Sequence, residues 1–265
     1  MQDTLLQQQN VSAAFSKQSS IFDVSENGNP ILEWMRSRVR AHALTLWKPG
    51  EHVLELNAGT GLDALYFSEN GIYVHATDNS EGMLTELKKK ANDKITIEKC
   101  SFLEINKIKG EFDHIFSNFG GLNCTNRLDL VIESFYNLLK PGGTATLVIM
   151  PPICPWEMAK ALKGDFRTAA RRLRKGGTPS NVEGVGFKTY YYSPKQVTKM
   201  FGEQYGLISI KALGCFVPPP YAEKFAHRHP KLLKVLKSLE DSFADIWPFY
   251  AWADHFLLTA KKKGG

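Results

Sequence analysis

Residues 52–80, which read HVLELNAGTGLDALYFSENGIYVHATDNS, constrain the fold more than any other stretch of the chain. An apolar strand leads into a tight turn at Gly59 and Gly61, a helical run begins at Leu62, and a second strand ends at Asp78. Two strands that are joined through a helix lie parallel, with the helix packed on one face of the sheet. The stretch therefore predicts half of an α/β unit of the kind that binds nucleotides.

The polar and glycine positions of this unit each have a chemical role. Gly59 and Gly61 lack a Cβ, so the turn can adopt positive φ and bring a ligand close to backbone N–H groups. Asp78 ends the second strand, where its carboxylate can accept hydrogen bonds from both hydroxyls of a ribose. Glu55 would repel a pyrophosphate but attracts a ligand that carries an ammonium and a sulfonium group. The pattern therefore favours an adenosyl cation over a dinucleotide, although residues 59–64 also fit the dinucleotide pattern GxGxxA.

Three segments resemble motifs of the class I S-adenosylmethionine (SAM) methyltransferases: ELNAGTG, ATDNSEGML and LLKPGGTATLVIM. They resemble the cofactor loop, the motif after the second strand, and the turn into strand five, and the resemblance covers roughly residues 49–150. It implies a doubly wound, seven-stranded and mostly parallel α/β sheet with an antiparallel last strand, and it implies SAM as the cofactor. The sequence departs from the family at Asn57, which stands where the first loop glycine is usual.

The resemblance also implies which residues hold the cofactor. Ser101 stands where family members commonly place an acid that accepts a hydrogen bond from the adenine amino group, and Phe102 would pack beside it. Asn118 follows strand four, in the loop that flanks the transferred methyl group. The complete set implied for SAM is Glu55, Asn57, Ala58, Gly59, Gly61, Asp78, Asn79, Met83, Ser101, Phe102 and Asn118.

The composition is that of a globular chain, with 43% hydrophobic and 23% charged residues among 265, enough for one α/β core and a substantial cap. The net charge is +6, but much of it is concentrated in residues 167–175 and 261–263, so a uniformly basic nucleic-acid surface is not evident. The four cysteines form no CxxC pair, so no metal site and no disulfide framework are expected. The sequence shows no secretion signal and no apolar run of membrane-spanning length, which predicts a cytoplasmic protein without membrane insertion.

Changes in the sequence pattern divide the chain into four predicted segments. By resemblance, the first of them is a lid over the cofactor, and Phe15, Phe22 and Trp34 are the aromatic candidates to close it. The segments are an N-terminal helical lid (1–46), a SAM-binding core (47–150), a substrate cap insertion (151–192), and the C-terminal part of the core (193–265) with a helical insertion at about 218–248.

The predicted cap insertion contains two regular patterns. Phe166, Ala169, Ala170 and Leu173 recur at helical spacing, so residues 165–175 are predicted to form an amphipathic helix with five cations around its other face. Such a charge run is usually a solvated face, and an anion-binding role is the alternative. Residues 188–193 (KTYYYS) are predicted to form a strand that carries three tyrosines.

Candidate acceptor-binding residues lie in the loops after strands four and five and on the tyrosine strand. Ordinary structural roles explain many of them equally well: a turn at Asn123, an anchor at Trp156 and strand packing for the tyrosines. The complete set is Phe119, Asn123, Trp156, Glu157, Tyr190 and Tyr192.

A catalytic base is needed only if the acceptor must lose a proton, because a sulfonium methyl group is transferred by direct displacement. The sequence offers Tyr191 and His227 as candidates for that role, and it assigns no catalytic residue beyond them. His114 and His255 lie within or beside predicted strands, so they are expected to be packed structural residues.

Two aromatic-rich excursions on the pocket side favour an enclosed small-molecule acceptor, and the resemblance points to the branch that contains ubiquinone, menaquinone and natural-product methyltransferases. Whether oxygen, nitrogen or carbon is methylated stays open, as does the choice between a monomer and a homodimer. The alternatives are an RNA or protein methyltransferase that uses the basic cap helix, a non-catalytic SAM-fold binding protein, and an NAD-dependent oxidoreductase.

Overall fold

The structure, a computed structural model, describes residues 2–264. Its strands are β1 (His52–Leu56), β2 (Tyr73–Asp78), β3 (Ile95–Lys99), β4 (Phe112–Ser117), β5 (Leu139–Ile149), β6 (Thr178–Val182), β7 (Val185–Thr189), β8 (Tyr205–Leu213) and β9 (His255–Lys262). Its α-helices are α1 (Gln2–Glu26), α2 (Pro30–Leu44), α3 (Leu62–Glu69), α4 (Glu81–Lys90), α5 (Leu128–Leu138), α6 (Pro155–Met158), α7 (Phe166–Ala169), α8 (Pro194–Phe201), α9 (Glu223–Arg228) and α10 (Pro230–Phe243). No helix within residues 2–264 is both long and apolar enough to cross a membrane.

Seven of the strands form one sheet in the order β3-β2-β1-β4-β5-β9-β8. Strands β1 to β5 pair in parallel, and β9 pairs antiparallel with both β5 and β8. This is the predicted sheet, including its antiparallel last strand. Because the strand order reverses beside β1, the carboxyl ends of β1 and β4 border the crevice where such sheets bind ligands.

Helices cover both faces of the sheet, and each face has its own apolar cluster. Trp47, Phe67 and Phe116 pack together on one face, with ring centroids 4.7 to 5.6 Å apart. On the other face Phe135 of α5 packs against Phe201 of α8 at 6.3 Å. Truncating a buried Phe of this kind to Ala typically costs about 3–5 kcal/mol, so these clusters hold the strand ends in place.

Helix α4 forms as the sequence pattern predicts. Ser80 is the N-cap, and its Oγ accepts a hydrogen bond from the Met83 amide. Met83, Leu84 and Leu87 are buried, and the helix ends in three lysines that complement its dipole.

The N-terminal helix α1 lies across the sheet edge, against α4 and the β6-β7 hairpin. Phe15 contacts Phe187 of that hairpin at 6.1 Å between ring centroids. Gly82 of α4 allows the close approach, because a Cβ at this position would lie 2.6 Å from the Ser16 carbonyl oxygen. Helix α1 and the β6-β7 hairpin, which is part of the insertion after β5, therefore pack together as one layer.

The expected amphipathic helix at residues 165–175 is wrong. The segment is α7, a single turn, followed by a short 3₁₀ turn, and its apolar residues Phe166 and Leu173 are 70% and 55% exposed. Arg172 is buried instead, since it makes ion pairs with two buried carboxylates. Buried ionic partners have overridden the apolar periodicity of this segment.

The predicted tyrosine strand at residues 188–193 is also misplaced. The strand ends at Thr189 and pairs with β6 in a hairpin that the sequence analysis did not predict. The three tyrosines follow it without strand structure, because the backbone amides of Tyr190 and Tyr192 bind carbonyl oxygens of Asn123 and Met150.

The predicted helical insertion is anchored by a charged residue rather than by its whole apolar side. Leu232 and Leu239 of α10 are 46% and 38% exposed, whereas Glu240 is fully buried. The Glu240 carboxylate accepts four backbone hydrogen bonds, from the amides of residues 214–217. These bonds fix the turn after β8.

Candidate functional site

A cavity of about 380 Å³ lies at the carboxyl ends of β1, β2 and β4, beneath α1. A crevice at this edge of the sheet is where the topology predicts a ligand. The predicted site residues that line it are Glu55, Asn57, Ala58, Gly59, Asp78, Asn79, Met83, Phe102, Asn118 and Phe119. Most of the residues that the sequence implied for the cofactor are thus brought together.

The glycine turn separates two roles that the sequence did not distinguish. Gly59 lines the cavity with φ +58°, and a Cβ there would meet open space. Gly61 is not among the lining residues; it has φ +81°, and a Cβ would lie 2.7 Å from Leu87. Gly61 therefore permits the turn to pack on α4. The sequence analysis expected it to bind the cofactor, but it does not line the cavity.

Asn57 takes the position of the usual glycine by adopting φ +47°, a conformation that Asn tolerates better than most residues. Its Oδ1 accepts a hydrogen bond from Ser117 Oγ at 2.6 Å, and its Nδ2 donates to the Asn118 carbonyl at 3.1 Å. The side-chain amide therefore ties the glycine turn to the end of β4.

Asp78 ends β2 with its carboxylate held by the backbone on both sides. One oxygen accepts from the Gly59 amide at 2.9 Å and the other from the Ser80 amide at 2.8 Å. Burial raises the pKa of this carboxyl, and the backbone N–H groups offset part of that rise. Each oxygen retains a lone pair for a further donor, so the group can still hold two hydroxyls.

Glu55 is the most unusual group in the cavity. It is 2% exposed, and its Oε2 has no hydrogen-bond partner among the described residues. Burial, reinforced by the nearby Asp63, raises the pKa of this carboxyl well above its usual range. An unpaired buried carboxyl is costly unless a ligand completes it.

A second acidic residue, Asp63 at the start of α3, is fully paired. Arg36 and Arg40 of α2 donate to it at 2.7 and 2.6 Å, and Asn118 Nδ2 donates at 2.8 Å. Burial opposes ionisation, but the two guanidinium groups outweigh it and lower the pKa of Asp63. Asp63 is therefore a buried anion beside the protonatable Glu55.

Arg36 is a cavity residue that the sequence analysis missed. It bridges Asp63 and Glu26 at 2.7 Å each and lies 4.5 Å from the ring centroid of Phe119. The sequence features that could have indicated this role are the i, i+4 spacing of Arg36 and Arg40 on one helix and the acidic residue Asp63 in the first turn of α3.

Helix α1 closes the cavity with Val11, Ser12, Phe15 and Phe22. Ser12 Oγ donates to the Asn79 carbonyl at 2.8 Å, so the lid is fastened beside Asp78. Trp34 is not among the lining residues, because it packs in the apolar cluster on the α2 side and under the Arg38 guanidinium. Two of the three aromatic lid candidates therefore reach the cavity.

The expected adenine side is lined by Cys100 and Phe102, while Ser101 is not among the lining residues. Ser101 Oγ accepts from the Leu103 amide at 3.3 Å and so fixes the turn that presents its neighbours. Burial raises the pKa of Cys100 to about 11 and that of the lining residue Cys124 to about 12. Both thiols are therefore uncharged at neutral pH, and they line the cavity as neutral groups.

Three predicted acceptor-binding residues have structural roles instead. Asn123 is fully buried, and its side chain binds backbone groups of Met150 and Tyr190. Trp156 donates to the Cys215 carbonyl at 3.1 Å, which seats the insertion on the core. Glu157 is 1% exposed and paired with Arg171 and Arg172.

The tyrosine and histidine candidates lie outside the cavity lining as well. Tyr190 lines a separate groove between α1 and the hairpin, and the Tyr192 hydroxyl donates to the Thr125 carbonyl. Tyr191 lies 5.2 Å from the Arg172 guanidinium. His227 is exposed and pairs with Glu223 on the same helix.

His255 is the histidine that does line the cavity, which contradicts the expectation that it is only packed. It begins β9 directly after the buried residue Asp254. A polar Asp-His pair before an apolar strand was the available signal. Asp254, Glu157 and Cys154 lie close enough to hold a metal, but Arg172 and Arg171 occupy the carboxylates, which favours an ion-pair network.

Comparison with known proteins agrees with this architecture. Residues 53–143 match a family described as "Methyltransferase domain". A demethylmenaquinone methyltransferase of Clavibacter sepedonicus is 30% identical over 139 residues, which cover 50% of this chain and 55% of that protein. The chain thus spans about half the length of this relative.

Two solved structures are similar over nearly the whole chain. The cyclase SpnF has a TM-score of 0.64 at 13% identity, covering 97% of each chain. The 1,6-didemethyltoxoflavin-N1-methyltransferase of Burkholderia thailandensis, with 1,6-didemethyltoxoflavin and S-adenosylhomocysteine bound, has a TM-score of 0.55 at 15% identity, covering 96% of this chain and 88% of that one. Residues 53–143 thus match a methyltransferase domain, and the fold of the chain is that of the class I S-adenosylmethionine-dependent methyltransferases.

Proposed function

We propose that the protein binds SAM in this cavity and transfers its methyl group to a small-molecule acceptor. When bound, SAM supplies an electrophilic methyl group on a positively charged sulfur. The observation that carries the proposal is the buried, unpartnered Oε2 of Glu55 in the same cavity as Asp78.

The residues of the cavity fit the parts of SAM. Glu55 offers a carboxylate oxygen to the ammonium group, and that contact would compensate its burial. Asp78 offers one lone pair from each carboxylate oxygen to the ribose hydroxyls. Phe102 and Met83 provide apolar contact for the adenine. The Arg36 guanidinium provides a cation for the methionine carboxylate.

The acceptor side of the cavity is apolar and enclosed. Phe119, Met150 and Pro220 line it, and residues of α1 also line the cavity. A closed pocket of this kind suits a small or medium-sized acceptor better than a nucleic acid or a protein side chain. Arg172 is buried and Arg171 is paired with Glu157, so the basic insertion offers fewer free cations than its sequence suggests.

The names of the similar proteins support the same acceptor class. The Clavibacter relative is named for a menaquinone precursor, and the Burkholderia structure contains a small heterocycle. In this chain, the protein would catalyse the reaction mainly by aligning the acceptor with the methyl carbon in a site that excludes water. Proximity and orientation can lower such a barrier by about 7–11 kcal/mol.

Calorimetric titration with S-adenosylhomocysteine (SAH) and, separately, NADH tests the proposal. We expect micromolar binding of SAH alone, followed by transfer of labelled methyl from SAM to a member of a panel of phenols, quinols and amines. Binding of NADH alone would overturn the proposal. Binding of SAH without transfer to any acceptor would favour a SAM-fold protein with another role, since SpnF shows that a cyclase can have this fold.

We also propose a cytoplasmic location. The four cysteines are free thiols, two of them buried, and free thiols suit a reducing compartment. Cell fractionation with detection of the native protein tests this proposal, and recovery in a secreted or membrane fraction would contradict it. The segment boundaries given above and the oligomeric state remain predictions.

A further inference from the structure

His255 is the cavity end of a buried chain of polar groups. Its Nδ1 lies 3.0 Å from Asp254 Oδ2, and Asp254 Oδ1 accepts from Arg172 at 2.6 Å. The same Arg172 nitrogen donates to Glu157 at 2.7 Å. All four side chains are 9% exposed or less, so solvent does not loosen the arrangement.

This arrangement sets which nitrogen of the neutral imidazole carries the proton. Burial alone would raise the pKa of Asp254, but His255 and Arg172 hold that pKa well below its usual range. An ionised carboxylate on Nδ1 requires that nitrogen to carry the proton. The proton-free lone pair of the neutral ring is therefore on Nε2.

The imidazole ring lines the cavity, and Nδ1 is the nitrogen that it turns towards Asp254. A Cβ built on Gly120 would lie 3.4 Å from Nε2, so this atom is next to the loop that follows β4. Phe119 holds the ring edge-on, with centroids 6.1 Å apart and planes at 82°. Among the described residues Nε2 has no hydrogen-bond partner, while Nδ1 is fully engaged. A basic lone pair thus borders the proposed acceptor space.

We propose that His255 is the general base of the reaction and that the acceptor carries a weakly acidic hydroxyl group of the phenol or enol class. The inference rests on the proposed methyl transfer. Nε2 takes the hydroxyl proton, the oxygen uses the freed electron pair to bond the methyl carbon, and the donor sulfur keeps the electrons of the broken S–C bond. Asp254, Arg172 and Glu157 are positioning residues, since they act through the imidazole.

The charged groups that face this imidazole can be named. Asp254 directly precedes it in the chain, and Arg172 and Glu157 of the insertion join the network through Asp254. Across the cavity, Arg36 lies over the Phe119 ring that contacts His255. Arg172 and Arg36 retain their charge across the working pH range, because a guanidinium group is effectively always protonated.

His255→Asn tests the assignment, because the Asn amide nitrogen can replace Nδ1 as donor to Asp254 while the base is removed. With a hydroxylated acceptor identified in the methyl-transfer panel, we expect kcat to fall by about 10²–10⁴-fold. Acceptor KM and the SAH dissociation constant should stay near the wild-type values. The loss should shrink for more acidic phenols, which need less help to ionise. The matched control is His75→Asn, on β2 and outside the cavity lining, which should keep wild-type kcat.

A second readout does not depend on turnover. In ¹⁵N-histidine NMR of the SAH complex, His255 should carry its proton on Nδ1 and none on Nε2, and a proton on Nε2 would overturn the assignment. A His255→Asn variant that methylates hydroxyl groups at the wild-type rate would also overturn it. If wild-type protein binds SAH but methylates no acceptor, the proposed function itself fails. If the wild type methylates only amines or carbon, the acceptor class is wrong although the methyl transfer stands.

Discussion

Replacing Asp78 with Asn tests how the cavity holds a ribose. Each Asp78 oxygen accepts one backbone hydrogen bond, from Gly59 or from Ser80, and keeps one lone pair for a hydroxyl. The substitution Asp78→Asn converts one of these oxygens into an NH₂ group. That group faces a backbone N–H donor and cannot accept from the ribose.

The expected loss follows from this count. Hydrogen bonds to a charged group contribute about 1.5–3 kcal/mol, which corresponds to a rise of about 10–150-fold in the SAH dissociation constant. The unliganded protein should lose less stability than affinity, because the change also removes a buried charge whose pKa is raised by desolvation. For the wild type, the same raised pKa means that SAH binding weakens as acid protonates Asp78.

Calorimetry with SAH and thermal unfolding without ligand measure the two effects separately. The matched control is Asp113→Asn on β4, away from the cavity lining. Asp113 likewise accepts a backbone hydrogen bond, from His52, and it also pairs with Lys140. An SAH affinity of Asp78→Asn equal to wild type, or an equal loss in both variants, would refute the reasoning.

Three further predictions concern the lid, the insertion and the buried acid. Gly82→Ala should push α1 away from α4, since its Cβ would lie 2.6 Å from the Ser16 carbonyl oxygen. SAH affinity should fall, and a protease should cleave the N-terminus faster. Gly206→Ala, with open space around its Cβ, should not have these effects. Glu240→Ala should lower the free energy of unfolding by about 3–5 kcal/mol in chemical denaturation, because four backbone donors lose their acceptor; a change near zero would contradict this role. SAH binding should release protons from Glu55 and should strengthen as the pH rises through the raised pKa of this carboxyl, because the SAH ammonium group stabilises the carboxylate. Calorimetry in buffers of different ionisation enthalpy measures the proton release. Proton uptake on binding would contradict the prediction.

The parts of the site that were predictable from sequence are local ones. Gly59, Asp78 and Glu55 lie within one βαβ unit, so their spacing along the chain fixes their positions at the same sheet edge. Ser80 is a cap for the same reason, because capping needs only the next turn of the helix.

The acceptor side was poorly predicted because its geometry depends on contacts distant in sequence. Asn123 looked like a binding residue, yet its amide satisfies backbone groups of Met150 and Tyr190. Glu157 was expected to face the crevice, but Arg172 draws it into the interior. In both cases the residue type indicated that the side chain binds a polar group. Only the folded structure shows that this polar group belongs to the protein and not to an acceptor.

The missed residues are also paired across long separations in sequence. Arg36 meets Asp63 from another helix, and Arg172 meets Asp254 from the far side of the insertion. No pattern within either segment specifies these pairs. His255 was assigned to packing because it begins an apolar strand, and only the folded structure shows that it lines the cavity.

A crystal structure of the protein with SAH tests the central claim most directly. We predict that the SAH ammonium group lies within hydrogen-bond distance, about 2.7–3.2 Å, of a Glu55 carboxylate oxygen and that the ribose hydroxyls contact Asp78. SAH bound in this cavity with its ammonium group turned away from Glu55 would contradict the account, as would SAH bound elsewhere on the chain.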